Sequence, residues 1–303
     1  MKIKIILLLF SFLFANCQNK LEFRFASGFK GGTYEQIGIS ISKLNSFQVK
    51  LQNTEGSIDN IFLIKDNKAD ISISQLDVLQ NSVLGDQDIQ KKVKVLFPLY
   101  GEEVHFIAKK QYSTVESLVG KKISIGDSES GTKMTSLIFL SQFGINNDNT
   151  TLEEWDAPKS LEKLLAGELD ALVLVAGYPV QILSQLPETV KNQIQILPFT
   201  NQSLQAVRGT NITYQKSEIP SGTYSWESKP IETILVQSVF IGRGDLTEKQ
   251  VIQFTKTIWK NKPTLLTLHD KWKQLDKSHF ESIRKKNESL FHPAVLKIFS
   301  ELE

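Results

Sequence analysis

Hydrophobic positions in the first quarter of the chain switch repeatedly between a period of two and a period near 3.6. Glu22-Phe23-Arg24-Phe25-Ala26 alternates as a half-buried strand does. Tyr34, Ile37, Ile41 and Leu44 then fall three and four residues apart, the stripe of an amphipathic helix. Phe47–Gln52 alternates again, Ile58, Ile61, Phe62 and Ile64 mark a second helix, and Asp70–Ser74 is a third strand running into Gln75-Leu76-Asp77. This β-α-β-α-β order predicts an α/β fold with a mostly parallel sheet and right-handed crossovers.

The rhythm then breaks. Val93–Pro98 and Val104–Ala108 read as strands with no helix before the second. Ser113–Val119 predicts a short helix, and Lys122–Gly126 a strand. A longer helix follows through Met134, Leu137, Ile138 and Phe143, stopped by Gly144. Ser160–Ala166 is helical, Asp170–Val175 is a buried strand, and Thr233–Ile241 is another strand without its own crossover. From Thr247 the pattern is helical to the end. Two α/β lobes are expected, residues 22–106 plus 232–303 and residues 107–231, joined by strands near Val104 and Ile234.

The opening segment is of another kind. Lys2 and Lys4 precede an apolar run from Ile5 that ends at Asn16-Cys17, short for a membrane span and built like a secretory signal. Phe14-Ala15-Asn16-Cys17 resembles a bacterial lipoprotein box, which implies a signal peptide over 1–16, acylation of Cys17, and an exported protein anchored at the periplasmic or cell surface. Of 35 basic and 33 acidic residues, two lysines lie in that segment, leaving 33 of each. So balanced a chain gives no reason to expect a nucleic-acid partner. With Cys17 the only cysteine and four histidines at no ligand spacing, neither a disulfide nor a metal is expected.

Candidate chemistry sits in two loops. Gly28-Phe29-Lys30-Gly31-Gly32-Thr33-Tyr34 and Gly126-Asp127-Ser128-Glu129-Ser130-Gly131-Thr132-Lys133 each follow a strand and open a helix. Unpaired amides, hydroxyls and the positive end of a helix dipole there form a cradle for an anion. Gly31, Gly32, Thr33 and Tyr34 from the first loop and Ser130, Gly131 and Thr132 from the second are the candidate ligand-binding set. Gly56 and Ser57 opening the second helix, Gln75 and Asp77 at a strand end, and Gly177 after another strand join it. Lys30 is a candidate partner for a second carboxylate, and Tyr178, Tyr224 and Trp226 are candidate walls. Thr33 and Thr132 could equally cap their helices; Thr132→Val is expected to weaken binding and leave the fold intact. The second loop is not a nucleotide P-loop, because Thr132 precedes Lys133 and reverses the required order. Arg243-Gly244-Asp245 reads as a turn. No nucleophile motif or cofactor-bearing residue is present, so neither an enzyme nor a cofactor is expected.

Taken together, Ala26–Tyr34, Thr54-Glu55-Gly56-Ser57 with Asn60, Ala69-Asp70 leading to Gln75-Leu76-Asp77, and Val119–Gly126 resemble TAXI-type solute receptors of TRAP transporters. Ser130-Gly131-Thr132, Gly167–Ala171, Ile219–Tyr224 and His292-Pro293 complete the series in the family's order. The resemblance implies a type II periplasmic-binding-protein fold whose lobes close on a small organic acid or acidic amino acid, glutamate-like or 2-oxoglutarate-like. It implies TRAP permease subunits as partners; a receptor for an ABC-type system, or a sensor on the same fold, is the alternative.

Overall fold

A computed structural model describes residues 20–199 and 214–302. The elements are β1 (Leu21–Ala26), α1 (Thr33–Ser42), β2 (Phe47–Gln52), α2 (Ser57–Lys65), β3 (Ile71–Gln75), α3 (Leu76–Gly85), α4 (Gln87–Lys92) and β4 (Val93–Lys109). Then come β5 (Lys122–Ser124), α5 (Gly131–Gln142), β6 (Thr151–Glu153), α6 (Ala157–Leu165), β7 (Ala171–Ala176), α7 (Gln181–Ser184), β8 (Ile194–Ile196), β9 (Gln215–Ile219) and β10 (Ile231–Arg243). Helices Glu248–Lys260, Lys262–Leu266, Lys277–Asn287 and Pro293–Ile298 follow. The export segment, with Cys17, lies outside the described residues.

One sheet runs β2-β1-β3-β10-β4-β7-β5-β6, with β8 beside β4 and β9 beside β10. The outer strands are parallel, as the alternating rhythm predicts. The two strands without crossovers, β4 and β10, pair antiparallel with each other and with the parallel groups on either side. Val93–Pro98 and Val104–Ala108, expected as two strands, are one continuous strand. Pro98 is tolerated inside it because a register shift in the partner falls between Gln237 and Val239, where Pro98 pairs with Val239.

The cores divide along these two strands. Leu99 and Tyr100 of β4 and Val239 of β10 join the cluster built on Phe23, Phe25, Ile37, Ile61 and the C-terminal helices. Val104 of β4 and Val236 of β10 belong to a second cluster with Ile123, Phe139 and Val173. A third lies under Leu161, Leu174, Tyr224 and Trp226.

Two sequence expectations are corrected locally. Ser113–Val119 is not an α-helix; only Glu116–Leu118 forms a 3₁₀ turn. Gly120 at φ +77° stops it after that turn. Phe62, assigned to the apolar stripe of α2, is 44% exposed, with the Lys65 ammonium over its ring. Among the described residues no helix is long and apolar enough to cross a membrane.

Candidate functional site

Both loops open helices, and the fold brings the two helix N-termini to one cavity. It encloses about 50 Å³, where one water needs roughly 10–15 Å³ on the same measure. Gly32, Thr33 and Tyr34 line it from α1, Gly56 and Ser57 from α2, Gln75 from the end of β3, and Ser130, Gly131 and Thr132 from α5. Phe29 and the strand Val173–Ala176 supply apolar wall.

The α5 end is the one with amides left over. Ser130 is its N-cap and accepts from Lys133 N at 3.1 Å. The Gly131 and Thr132 amides have no protein acceptor among the described residues. Thr132 has a second job: its hydroxyl accepts from Val175 N at 3.2 Å, tying helix to strand. Part of the first cradle is already filled from within. Gly31 N donates to the Glu35 carboxylate at 2.6 Å and Gly32 N to Phe29 O at 3.0 Å. The α2 end is occupied too, since Ile58 N and Asp59 N each donate to Glu129 O at 3.1 Å. Glu129 therefore contributes its carbonyl, not its charge, to this junction.

Contacts across the cavity hold it shut. The Thr33 hydroxyl donates to Gly177 O, Ile182 N to Gly31 O at 3.4 Å, and Gln36 Nε2 to Gln181 Oε1 at 2.7 Å. Gly131 packs against β3 so closely that a Cβ there would lie 1.9 Å from Gln75 Oε1 and 2.9 Å from Ser57 Oγ. Gly31, at φ +81°, faces Ile182 in the same manner, its virtual Cβ 2.3 Å from Cγ2.

Three candidates are placed elsewhere. Gly31 and Gly177 make the closing contacts just described and do not line the cavity. Asp77 is fully buried behind it, accepting from Tyr214 OH at 3.1 Å and Val78 N at 2.9 Å, and burial pushes its carboxyl up to about 6. The proposed walls are also corrected. Tyr224 and Trp226 stack on each other in the core, and Tyr178 covers the Lys271 ammonium 4.0 Å from its ring centre. The Tyr224 hydroxyl faces His105 Nε2 at 2.8 Å while the other ring nitrogen meets Glu103 O at 3.0 Å. Burial lowers His105 to about 4, so the ring is neutral. Lys30 is exposed and away from the cavity.

Sequence reasoning missed the carboxylates. Glu102 lines the cavity from β4, joined by Glu55, Asp127 and Asp156, and the described lining residues include no Lys, Arg or His. Glu102 is 2% exposed. Burial pushes its carboxyl up to about 8, the nearby Asp77 and Glu103 charges adding to the effect against hydrogen bonds from Tyr34 and Gln75. Glu55 is raised by burial and by Asp127 and Asp156. The arginines Arg24 and Arg243 are engaged at a distance, on Asp70. Among the described residues no group of three or more His, Cys, Asp and Glu could hold a metal ion.

A cavity between opposed α/β halves, with helix N-termini meeting over it, defines the type II periplasmic-binding-protein fold. The chain belongs to the NMT1-like family, whose model matches residues 25–302. Among solved structures it is similar to the GluR0 ligand-binding core from Nostoc punctiforme in complex with L-glutamate. That match has a TM-score of 0.50 and 15% identity, covering 82% of this chain and 98% of the other. It is also similar to the ligand-binding component of an ABC-type import system from Staphylococcus aureus, with zinc bound. There the TM-score is 0.53 and the identity 12%, over 94% and 99% of the two chains.

Proposed function

We propose that this protein is a solute-binding receptor that captures a small carboxylate-bearing solute and performs no reaction of its own. One observation carries the reading: two helix N-termini from opposite halves line one small cavity, and hydrogen bonds join the halves beside it. Residues 22–106 plus 232–303 and residues 107–231 would act as lobes that open about β4 and β10, with solute favouring the closed arrangement. The Gly131 and Thr132 amides, with the α5 dipole, would receive a carboxylate. The order of motifs along the chain supports the finer assignment, a TAXI-type receptor for a TRAP permease, held to the membrane by an acylated Cys17. The solute would be a small organic acid or acidic amino acid.

The test is a thermal-shift screen of purified protein, unfolded and refolded to strip captured solute. Probes are glutamate, glutamine, 2-oxoglutarate, succinate, malate, monocarboxylates and nucleotides. A solute at a hundred times its Kd stabilises by about 2.7 kcal/mol, a shift of several degrees. A nucleotide hit with silence from every acid would sink the reading. The likeness to an ABC-type import component favours one second reading, the same receptor feeding an ABC permease; the permease gene beside this one separates the two.

A further inference from the structure

We propose that the captured solute carries an ammonium group beside its carboxylate, and that Glu102 and Gln75 receive it. This rests on the solute-receptor reading above and specifies the chemical class of solute.

The inference starts from two neighbouring residues with opposite fates. Glu102 and Glu103 are adjacent on β4, so their side chains leave opposite faces of the sheet. Both are buried, 2% and 1% exposed. Glu103 has a cation: Lys271 Nζ lies 2.8 and 2.6 Å from its two oxygens. Glu102 faces the cavity, and its Oε1 has no donor among the described residues. Gln75, 1% exposed, lines the same cavity, and among the described residues its Oε1 has no donor either. Its Nε2 lies 3.5 Å from Glu102 Oε2, so the two side chains form one corner.

Two buried acceptors without donors, in one corner of one cavity, ask for a group with at least two N–H or O–H bonds. A positive charge suits the corner further, because Glu55, Asp127 and Asp156 line the same space and no described lining residue is basic. A dicarboxylate or a 2-oxo acid would bring only acceptors there, which a protonated Glu102 could meet with its single O–H while Gln75 Oε1 stayed without a donor among the described residues. An ammonium brings three donors, and its bond to an ionised carboxylate is of the stronger, charge-assisted kind. The Gly131 and Thr132 amides in the same cavity complement it by receiving the carboxylate.

The titratable groups whose charges or hydrogen bonds act on Glu102 are Tyr34 from α1, Asp77 from α3 and Tyr100 from β4, with Glu103 and the Lys271 it holds, from the 3₁₀ turn Asp270–Gln274, acting from the opposite face. Burial keeps Glu102 protonated near neutral pH in the empty protein. Ammonium capture would then ionise it, Glu102 losing its proton to solvent as the ammonium docks. Affinity therefore rises with pH toward 8, by up to about tenfold per unit.

The experiment is calorimetric titration of the stripped protein with amino acid and 2-oxo acid pairs of one skeleton: glutamate and 2-oxoglutarate, alanine and pyruvate, valine and 2-oxoisovalerate. The expected result is a preference of about a hundredfold or more for the amino member of the binding pair. Its Kd should fall between pH 6 and 8, with proton release visible as a dependence of the heat on buffer. Glu102→Gln should remove most of the preference and the pH slope; Gln75→Met, which deletes the second acceptor, should reduce the preference even if the first variant does not fold. A 2-oxo acid binding as tightly as its amino partner would overturn the ammonium subsite and leave the receptor reading standing. An undiminished preference in both variants would overturn the assignment to these residues. Binding by neither member of any pair, with a hit on another acid of the thermal-shift panel, would sink the subsite alone; silence across that panel as well would sink the organic-acid reading with it.

Discussion

Replacing Lys271 by methionine should destabilise the protein by about 3–5 kcal/mol, because it strands a buried carboxylate. The Lys271 ammonium is 2% exposed and its partner Glu103 1%. It donates to both Glu103 oxygens, at 2.8 and 2.6 Å, and to Gly101 O at 3.0 Å, beneath the Tyr178 ring. At an effective dielectric of about 20 the Coulomb attraction over such a distance is roughly 6 kcal/mol, and desolvating each ion costs several. Burial lowers Lys271 and raises Glu103, so pairing offsets desolvation only in part at both partners. That points to a pair whose loss is cheap when both members go. Glu103→Leu with Lys271→Met should lie within about 2 kcal/mol of the parent, the residue being the lost Gly101 bond and the cation–π contact. Urea unfolding of the parent, both single variants and the double variant closes the cycle, with a coupling well above 1 kcal/mol expected. A single-variant cost below about 1 kcal/mol, or a double variant at the sum of the singles, would refute the reasoning.

Gly131→Ala should weaken solute binding at least tenfold, since in the arrangement described its Cβ would lie 1.9 Å from Gln75 Oε1; calorimetry reads the loss of affinity and urea melts any loss of stability. Glu102 sits at about 8 against an ordinary 4.5, so over that range the folded protein keeps a proton the unfolded chain has lost. Stability of the empty protein should fall as pH rises from 5 to 8, and Glu102→Gln should flatten that slope in urea melts. Asp77, at about 6 against 3.8, contributes in the same direction over its lower range. His105, lowered from 6.5 to about 4, acts oppositely: its share is lost as pH falls from 6.5 toward 4. Thr132→Val should now cost about 1–3 kcal/mol besides affinity, because Val175 N loses its acceptor; an unchanged melt would show that bond to be dispensable.

Much of this architecture is written in local patterns. The Tyr34-Ile37-Ile41 stripe buries as its spacing requires, and glycine- and serine-rich strand ends do become helix N-termini over a cavity. The cavity's electrostatics were not legible. Gly101-Glu102-Glu103 reads as a polar break between two strands, and only the sheet reveals that β4 continues through it with both acids buried. The one available signal was the shortness of the gap, since the five residues Leu99–Glu103 between the two expected strands leave little room for a solvated loop. Lys271 lies far away in sequence and finds Glu103 through the fold alone. Tyr178, Tyr224 and Trp226 show the converse failure: composition picks out aromatics, but not the face on which each one stands.

The position of β10 has a consequence for how the chain assembles. It lies between β3 and β4, two strands made long before it, and pairs with both. Until it arrives, each offers an unpaired edge, and the Phe97 and Phe25 rings lack Phe240 between them. The groups β2-β1-β3 and β4-β7-β5-β6 can each form from contiguous chain, whereas joining them must wait for β10 and pairing across most of the sequence. Such non-local closure slows folding. A chain halted before Ile231 would carry two additional bare strand edges through its whole lifetime, so the last quarter of the chain covers edges that would otherwise invite aggregation.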